Sequence, residues 1–369
     1  MTKHMHREEK IRREAVSKRA SPAPKRKKRR KRKKGHPVLI ALLIFVLLIG
    51  LCLGGAYYVL NTKLNKIERY EDVPQPTVPP EEQSFDLEET DLANPGEDTR
   101  KAEEIVWQKP QETKKEPKVK NILLIGQDRR VGAAETRARS DTVIICSINE
   151  DTDKITLTSL MRDMYVPIPG YYDNRFNSAF AYGGIELLDQ TIEEDFGIRL
   201  DGNVEVDFEG FLDVMGLIAP LEIDLKDYEV GYMNSGTTWG LHTGVNSLNA
   251  EQLLRYSRIR HVGHADWERT ERQRRVLTAA FNKVRGRSFS ELTDLLDAAL
   301  PCLRTDMSNM EILSYIYTVL SHKMTIGETY RLPVEGTYTA EKIWGMDVLV
   351  PDLEANSRYL QEYIYGKTQ

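Results

Sequence analysis

Cysteine and histidine are scarce in this chain, at three and seven of 369 residues. Cys52, Cys146 and Cys302 are far apart, so no paired cysteine spacing of the kind that holds zinc is present. One external disulfide between Cys146 and Cys302, or two free thiols, both fit that spacing. His242, His261 and His264 form neither an HExxH pattern nor a triad, and no G-x-S-x-G elbow occurs. A zinc peptidase of that type and a serine or cysteine hydrolase therefore lack support. No internal repeat is visible. Lysine is missing from the stretch Arg255 to Arg275, which carries seven arginines.

Charge is unevenly spread. The net −4 hides a head, residues 1–36, with 17 Lys+Arg against 3 Glu, or +14; the remainder is then −18. Pro37 to Leu60 carries no charge. As a helix these 24 residues span roughly 36 Å, enough for a bilayer core of about 30 Å. Tyr57 and Tyr58 sit at its far end, as interfacial rings do, and the basic run Lys25–Lys34 abuts its near end. The expectation is a basic cytoplasmic tail over 1–36, a transmembrane helix over 37–60, and everything beyond outside the cell. A cleaved signal peptide fits less well, because the apolar run is long and no small-x-small site follows. The basic run reads as a topology signal, and no nucleic acid is expected as a partner.

Residues 61–118 hold seven prolines and many acids with few apolar residues. That composition predicts a disordered extracytoplasmic spacer. A folded domain is expected over 119–369. Short apolar runs at Asn121–Ile125, Thr142–Ile148 and Ile155–Leu160 read as strands, and the turn cluster 149–154 makes the last two a hairpin. Gly183-Gly184 is expected to open a helix running to about Asp195. Val204, Val206 and Phe208 alternate before a helix reaching Leu217, and Leu221, Ile223 and Leu225 alternate again. Helical spacing runs through 268–286, 289–300 and 307–322, after a helix that starts at the cap-type residues Ser247–Asn249. The fold class is mixed α/β: a central, partly antiparallel sheet covered by helices on its faces.

Arginine offers a planar fork that grips phosphate two oxygens at a time. Arg258 and Arg260 share a face only in extended chain; Arg269, Arg272 and Gln273 share one only in a helix. A basic helix face paired with Glu268 and Glu271 is the plainer alternative. Acids gather at strand ends: Asp128 after the first strand, Asp141 before the second, Asp163 after the third. In a hairpin, Arg139 and Asp141 face Arg162 and Asp163. A parallel first strand adds Asp128 to that edge. Carboxylates, water and substrate phosphates together suit Mg²⁺. The Arg175–Gly184 segment, small around a double glycine, could approach a ligand oxygen or simply turn into a core helix.

These blocks occur in a recognisable order: Asn121–Asp128, Arg139–Thr142, Ser159–Gly170, Asn177–Gly184, Val204–Phe211 and Leu248–Gln273. Over roughly 119–285 the chain resembles the LytR–CpsA–Psr family of cell-wall glycopolymer ligases. The resemblance implies transfer of an anionic glycopolymer (teichoic acid, capsule or similar) from a polyprenyl-diphosphate carrier to peptidoglycan, at the outer face of a bacterial, Gram-positive cell membrane. It implies Mg²⁺, with Mn²⁺ as the substitute ion, held by Asp128 and Asp141. Arg139, Arg162, Arg175, Arg258, Arg260, Arg269 and Gln273 match the diphosphate-binding set, although the family often has lysine at the place of Arg175. Arg162, Asp141 and Asp163 are the catalytic candidates, the two acids as alternative bases. An apolar tunnel for the lipid is implied, with Phe208, Phe211, Leu212 and Met215 as lining candidates. Two other functions stay open at this point: a membrane-anchored adaptor that binds anionic polymer without chemistry, and a phosphohydrolase that releases it to water.

Overall fold

The computed structural model describes residues 58–70, 77–80, 83, 89–110, 112–127, 140–260, 262–263 and 266–366. The expected tail 1–36, most of the expected membrane helix 37–60, and Asp128 and Arg139 lie outside them. Among the described residues no helix is long and apolar enough to cross a membrane. In chain order the elements are β1 (Glu68–Arg69), α1 (Glu89–Ala93), β2 (Val119–Gln127), β3 (Ser140–Asn149), β4 (Lys154–Leu160), β5 (Tyr165–Val166), β6 (Asn174–Arg175), α2 (Asn177–Phe196), β7 (Gly202–Asp207) and α3 (Phe208–Ile218). There follow β8 (Leu221–Leu225), α4 (Asp227–Asn234), β9 (Gly244–Leu248), α5 (Ala250–Ser257), α6 (Asp266–Arg285), α7 (Phe289–Ala299), β10 (Leu303–Thr305), α8 (Asn309–Ser321), β11 (Thr325–Leu332), β12 (Tyr338–Ile343), β13 (Met346–Pro351) and α9 (Leu353–Tyr365).

Seven strands form one mixed sheet in the order β1-β10-β7-β2-β3-β4-β11. The expected hairpin is its centre: β3 and β4 pair antiparallel, closed by a turn in which Asn149 Oδ1 accepts from the Asp151 and Thr152 N–H groups at 3.0 and 3.2 Å. β2 pairs antiparallel with β3 and parallel with β7. β2 therefore runs parallel in direction to β4, as the sharing of one edge requires. Strand alternation splits the side chains between two faces. Leu123, Ile125, Val143 and Ile145 pack with Leu188, Ile192 and Phe196 of α2 and Leu360 and Ile364 of α9. Ile122, Leu124, Ile144 and Val204 pack on the other face with Leu277 and Phe281 of α6 and Ile312 and Val319 of α8. The β8–β9 hairpin makes a third cluster with Met215 and Ile218 of α3, Leu253 and Tyr256 of α5 and Val276 of α6.

Two expectations differ from the structure. The double glycine does not open α2. That helix starts at Asn177, and Gly183 and Gly184 (φ 61°, ψ −148°) make a kink within it. The conformation at Gly184 is open essentially to glycine alone. The stretch read as a spacer, 61–118, is in part packed on the domain. β1 pairs with β10, Leu64 and Ile67 are buried against Leu300, and Tyr70 and Val78 join the main core. Its apolar residues are few, but each fills a separate seat, so no periodicity announces them. Cys146 and Cys302 are both free thiols.

Candidate active site

The hairpin register places the first ion pair. Val143 lies opposite Leu160, so two residues outward Asp141 faces Arg162. Arg162 Nη1 donates to Asp141 Oδ1 at 2.8 Å. Gln127, the last residue of β2, pairs with Ser140, which brings the end of that strand to the same edge.

The arginine run is sorted by two local devices. Asn249 caps α5 reciprocally with Gln252, each side chain bonding the other's backbone N–H at 2.9 Å. The helix ends at Ser257. Ile259 is then fully buried, so Arg258 and Arg260, on either side of it, both reach a cavity between sheet and helices. On α6, Arg269, Gln273, Val276 and Leu277 follow helical spacing and line that same cavity. Arg272, Arg274 and Arg275 are structural instead. Arg272 donates to Glu229 and Glu268, both at 2.7 Å, and Arg274 to Ser159 Oγ at 2.7 Å. Arg275 pairs with Glu271 at 2.5 Å. The plainer reading thus holds for Arg272 and Arg275, paired with Glu268 and Glu271, and Arg272 does not join Arg269 and Gln273 on the cavity face.

The cavity encloses about 850 Å³. Its depth is apolar: Leu124, Ile144, Val204 and Val206 from the sheet, Phe211, Val214 and Met215 from α3, and Val276 and Leu277 from α6. Of the expected tunnel residues Phe211 and Met215 line it, while Leu212 is not part of its wall and the Phe208 side chain lies outside the described residues. Asp141, Arg258, Arg260, Arg269 and Gln273 line it as well, and Gln273 donates to Thr142 Oγ1 at 2.9 Å. Gly126 also lines it. A Cβ there would sit 3.0 Å from that of Thr142, tight enough to push on the Gln273 partner.

One residue that the sequence reading passed over organises the charges. Asp266 Oδ2 lies 3.4 Å from Arg162 Nε and 3.4 Å from Arg269 Nη2, and Asp266 Oδ1 lies 3.9 Å from Arg260 Nε. Burial pushes this carboxyl up, but Arg269, a hydrogen bond with Asp163, Arg162 and Arg260 outweigh it and hold it at about 2. Burial draws Arg269 down to about 10, still charged at neutral pH. Arg260 Nη2 also reaches Asp141 Oδ1 at 3.5 Å. Asp163 lies 3.5 Å from Arg162 Nε but does not line the cavity. Arg175 is buried away from it: its Nη2 is 2.5 Å from Asp91 Oδ1 and 2.9 Å from the Asp347 carbonyl, with Nε 3.9 Å from Asp163. The geometry makes Arg175 a support for Asp163 rather than a wall of the cavity. Arg255, at the head of the arginine run, also lines the cavity and donates to the Tyr232 and Ser235 carbonyls at 2.8 and 2.7 Å.

Among the described residues no group of three or more His, Cys, Asp or Glu could hold a metal. Asp141, a fifth exposed, is one of three carboxylates lining the cavity, with Asp207 and Glu251. That is compatible with Mg²⁺, which is commonly held by one or two carboxylates with water and phosphate oxygens.

A model of the LytR_cpsA_psr family matches residues 86–361. The chain belongs to this family. It is 33% identical over 157 residues to the regulatory protein MsrR of Staphylococcus aureus (strain COL), covering 42% of this chain and 46% of MsrR, so the match spans about half of that relative. It is 33% identical over 215 residues to TagU of Oceanobacillus iheyensis, a polyisoprenyl-teichoic acid–peptidoglycan teichoic acid transferase, covering 55% of this chain and 63% of TagU. Among solved structures it is similar to TagT bound to LI-WTA, with a TM-score of 0.55 and 25% identity, covering 68% of this chain and 92% of that one. The family match begins inside the stretch read as a spacer, in keeping with the packing of that stretch.

Proposed function

We propose that this protein transfers an anionic glycopolymer from a polyprenyl-diphosphate carrier to peptidoglycan. One observation carries the reading: a largely apolar cavity of about 850 Å³ that also bears four arginines and Asp141. A polyprenyl diphosphate has the same division, a long apolar chain ending in clustered negative charge. The name of the TagU relative supports the reading at family level.

An acceptor sugar hydroxyl attacks the phosphorus nearest the glycopolymer. The bond from that phosphorus to the bridging oxygen breaks, polyprenyl phosphate leaves, and a phosphodiester remains. Arg258, Arg260 and Arg269 hold the phosphate oxygens, and Arg162 fixes Asp141 and shares the developing charge. Such prearranged charge acts where the transition state gains it. Asp141, facing the cavity, is better placed than Asp163 to take the hydroxyl proton. Mg²⁺, bound through Asp141 and, on the family pattern, Asp128, would supply further charge neutralisation at the diphosphate. Residues 37–60 would anchor the chain in the membrane with the site outside, where both substrates are found.

The test is transfer from a synthetic polyprenyl-diphosphate glycan to peptidoglycan strands by the full chain. Asp141→Asn and Arg260→Ala are expected to cut turnover at least a hundredfold, with phosphodiester-linked product from the wild type. Release of free polymer to water would point to hydrolysis instead. Polymer binding without turnover would point to an adaptor.

A further inference from the structure

A second cleft, of about 370 Å³, lies between the segment 105–108, the start of β12 and the turn from β13 into α9. Its walls include Trp107 and Tyr338, with Arg100, Gln108, Thr339 and Asp352 as polar groups. It shares its frame with the charge network. The Tyr338 ring lies 5.0 Å from that of Trp267, the residue after Asp266. The Leu349 N–H donates to the Asp163 carbonyl at 3.0 Å, and the next two residues, Val350 and Pro351, line the cleft. Trp107 is held at 6.5 Å from Tyr165 and by a 2.6 Å bond from Nε1 to Asp173. One short segment, 162–165, thus braces both sites.

The chemistry of the walls narrows the occupant. Aromatic faces with hydroxyl, amide and guanidinium groups around them suit a sugar ring, which presents C–H faces and polar edges. The volume is near the low end for small-ligand sites, roughly 300–1,000 Å³. The lining carries one cation and one anion, Arg100 and Asp352. The exposed Glu104 and Glu335 adjoin it in sequence. A polyanion meets no excess of positive charge there, whereas the main cavity carries four arginines against three carboxylates. Arg100 has no carboxylate in ion-pair reach among the described residues, so it is available to an acidic group on a mostly neutral glycan.

We propose that this cleft is the acceptor subsite, taking a peptidoglycan glycan segment with its acidic stem peptide. The proposal rests on the transfer reading above and adds where the second substrate sits. The Trp267–Tyr338 contact ties the cleft to the neighbouring Asp266 and its charge network.

The test uses full chain in detergent micelles, soluble peptidoglycan fragments of two to four sugars with stem peptides, and the variants Arg100→Gln and Gln108→Ala. Gln108 is exposed and Arg100 half-buried, so folding is expected to survive and thermal midpoints verify it. Fragment binding is read by titration without donor, and acceptor KM by turnover. The expected result is five- to tenfold weaker fragment binding and a matching rise in acceptor KM, with donor-lipid affinity unchanged. Fragment binding that is absent in the wild type, or equal in the variants, overturns the subsite. Anionic polymer binding that the variants lose in place of fragment binding overturns the choice of occupant. If the fragments bind as expected but no transfer occurs, the cleft stands as a peptidoglycan-binding site, and the transferase reading falls together with the acceptor role.

Discussion

Asp266→Asn isolates the charge that holds three arginines in place. The wild-type carboxyl is depressed from 3.8 to about 2. At 1.36 kcal/mol per pH unit that difference is worth roughly 2 kcal/mol at neutral pH. The group is mostly buried, with 18% of its side chain exposed, so screening removes only part of this. The folded value is the lower one. The contribution is therefore present above about pH 4 and lost as pH falls towards 2. The variant keeps the shape and lacks the charge. Its thermal midpoint at pH 7 is expected to fall by about 4–8 °C, at roughly 2–4 °C per kcal/mol. The gap should close on acidification, since the wild-type carboxylate is then protonated too. Turnover should drop on the order of a hundredfold, because Arg162, Arg260 and Arg269 lose their common anchor and misplacement of about 1 Å has that effect. The assay is circular dichroism melting across pH 2–7 beside product formation at pH 7. Equal midpoints at pH 7, or a gap that widens in acid, would refute the assignment of Asp266 as the anchor.

Three further outcomes follow from the packing. Arg175→Ala and Asp91→Ala should each destabilise by about 3–5 kcal/mol, because each strands a buried partner; a chemical denaturation series reads this, and stability unchanged in either would return Arg175 to the substrate. Val276→Trp projects bulk into the main cavity from a fully buried position. It should cost about 1–3 kcal/mol yet reduce co-purifying polyprenyl lipid at least tenfold by mass spectrometry. Gly184→Ala should lose about 1–3 kcal/mol through backbone strain at the α2 kink, measured by urea midpoint.

Local patterns were readable where chemistry and periodicity agree. The hairpin turn at 149–154 and the apolar alternation of β3 and β4 determine a register, and the register alone brings Asp141 to Arg162. Arg258 and Arg260 were legible as a pair because a capped helix ends just before them. What was not legible depends on distant chain. β11 joins β4 in parallel, and β10 inserts between β7 and β1; nothing in their own residues names those partners. Asp266 precedes the expected helix 268–286, and the structure makes it the first residue of α6. Only the fold, by setting α6 against the end of β4, brings Arg162 to it. The α2 kink was misread as a start, since a glycine pair breaks a helix and begins one with the same composition.

The position of Arg175 shows why an arginine there is more than a family variant of lysine. From Asp91 the charges alternate through Arg175 Nη2 at 2.5 Å, Asp163 at 3.9 Å from Arg175 Nε, Arg162 Nε at 3.5 Å from Asp163, and Asp141 at 2.8 Å from Arg162 Nη1. A guanidinium can bond Asp91 and the Asp347 carbonyl through one nitrogen while turning Nε towards Asp163; an ammonium has one nitrogen and no second edge. The Asp347 N–H bonds the same Asp91 oxygen at 2.8 Å, tying β13 to this end of the chain of charges. A segment from the sparse stretch 61–118 is thereby wired to Asp141 at the cavity wall. Its docking helps to set where Asp141 stands, so trimming the chain to 119 would remove a counter-ion of the site along with what composition alone presents as a tether.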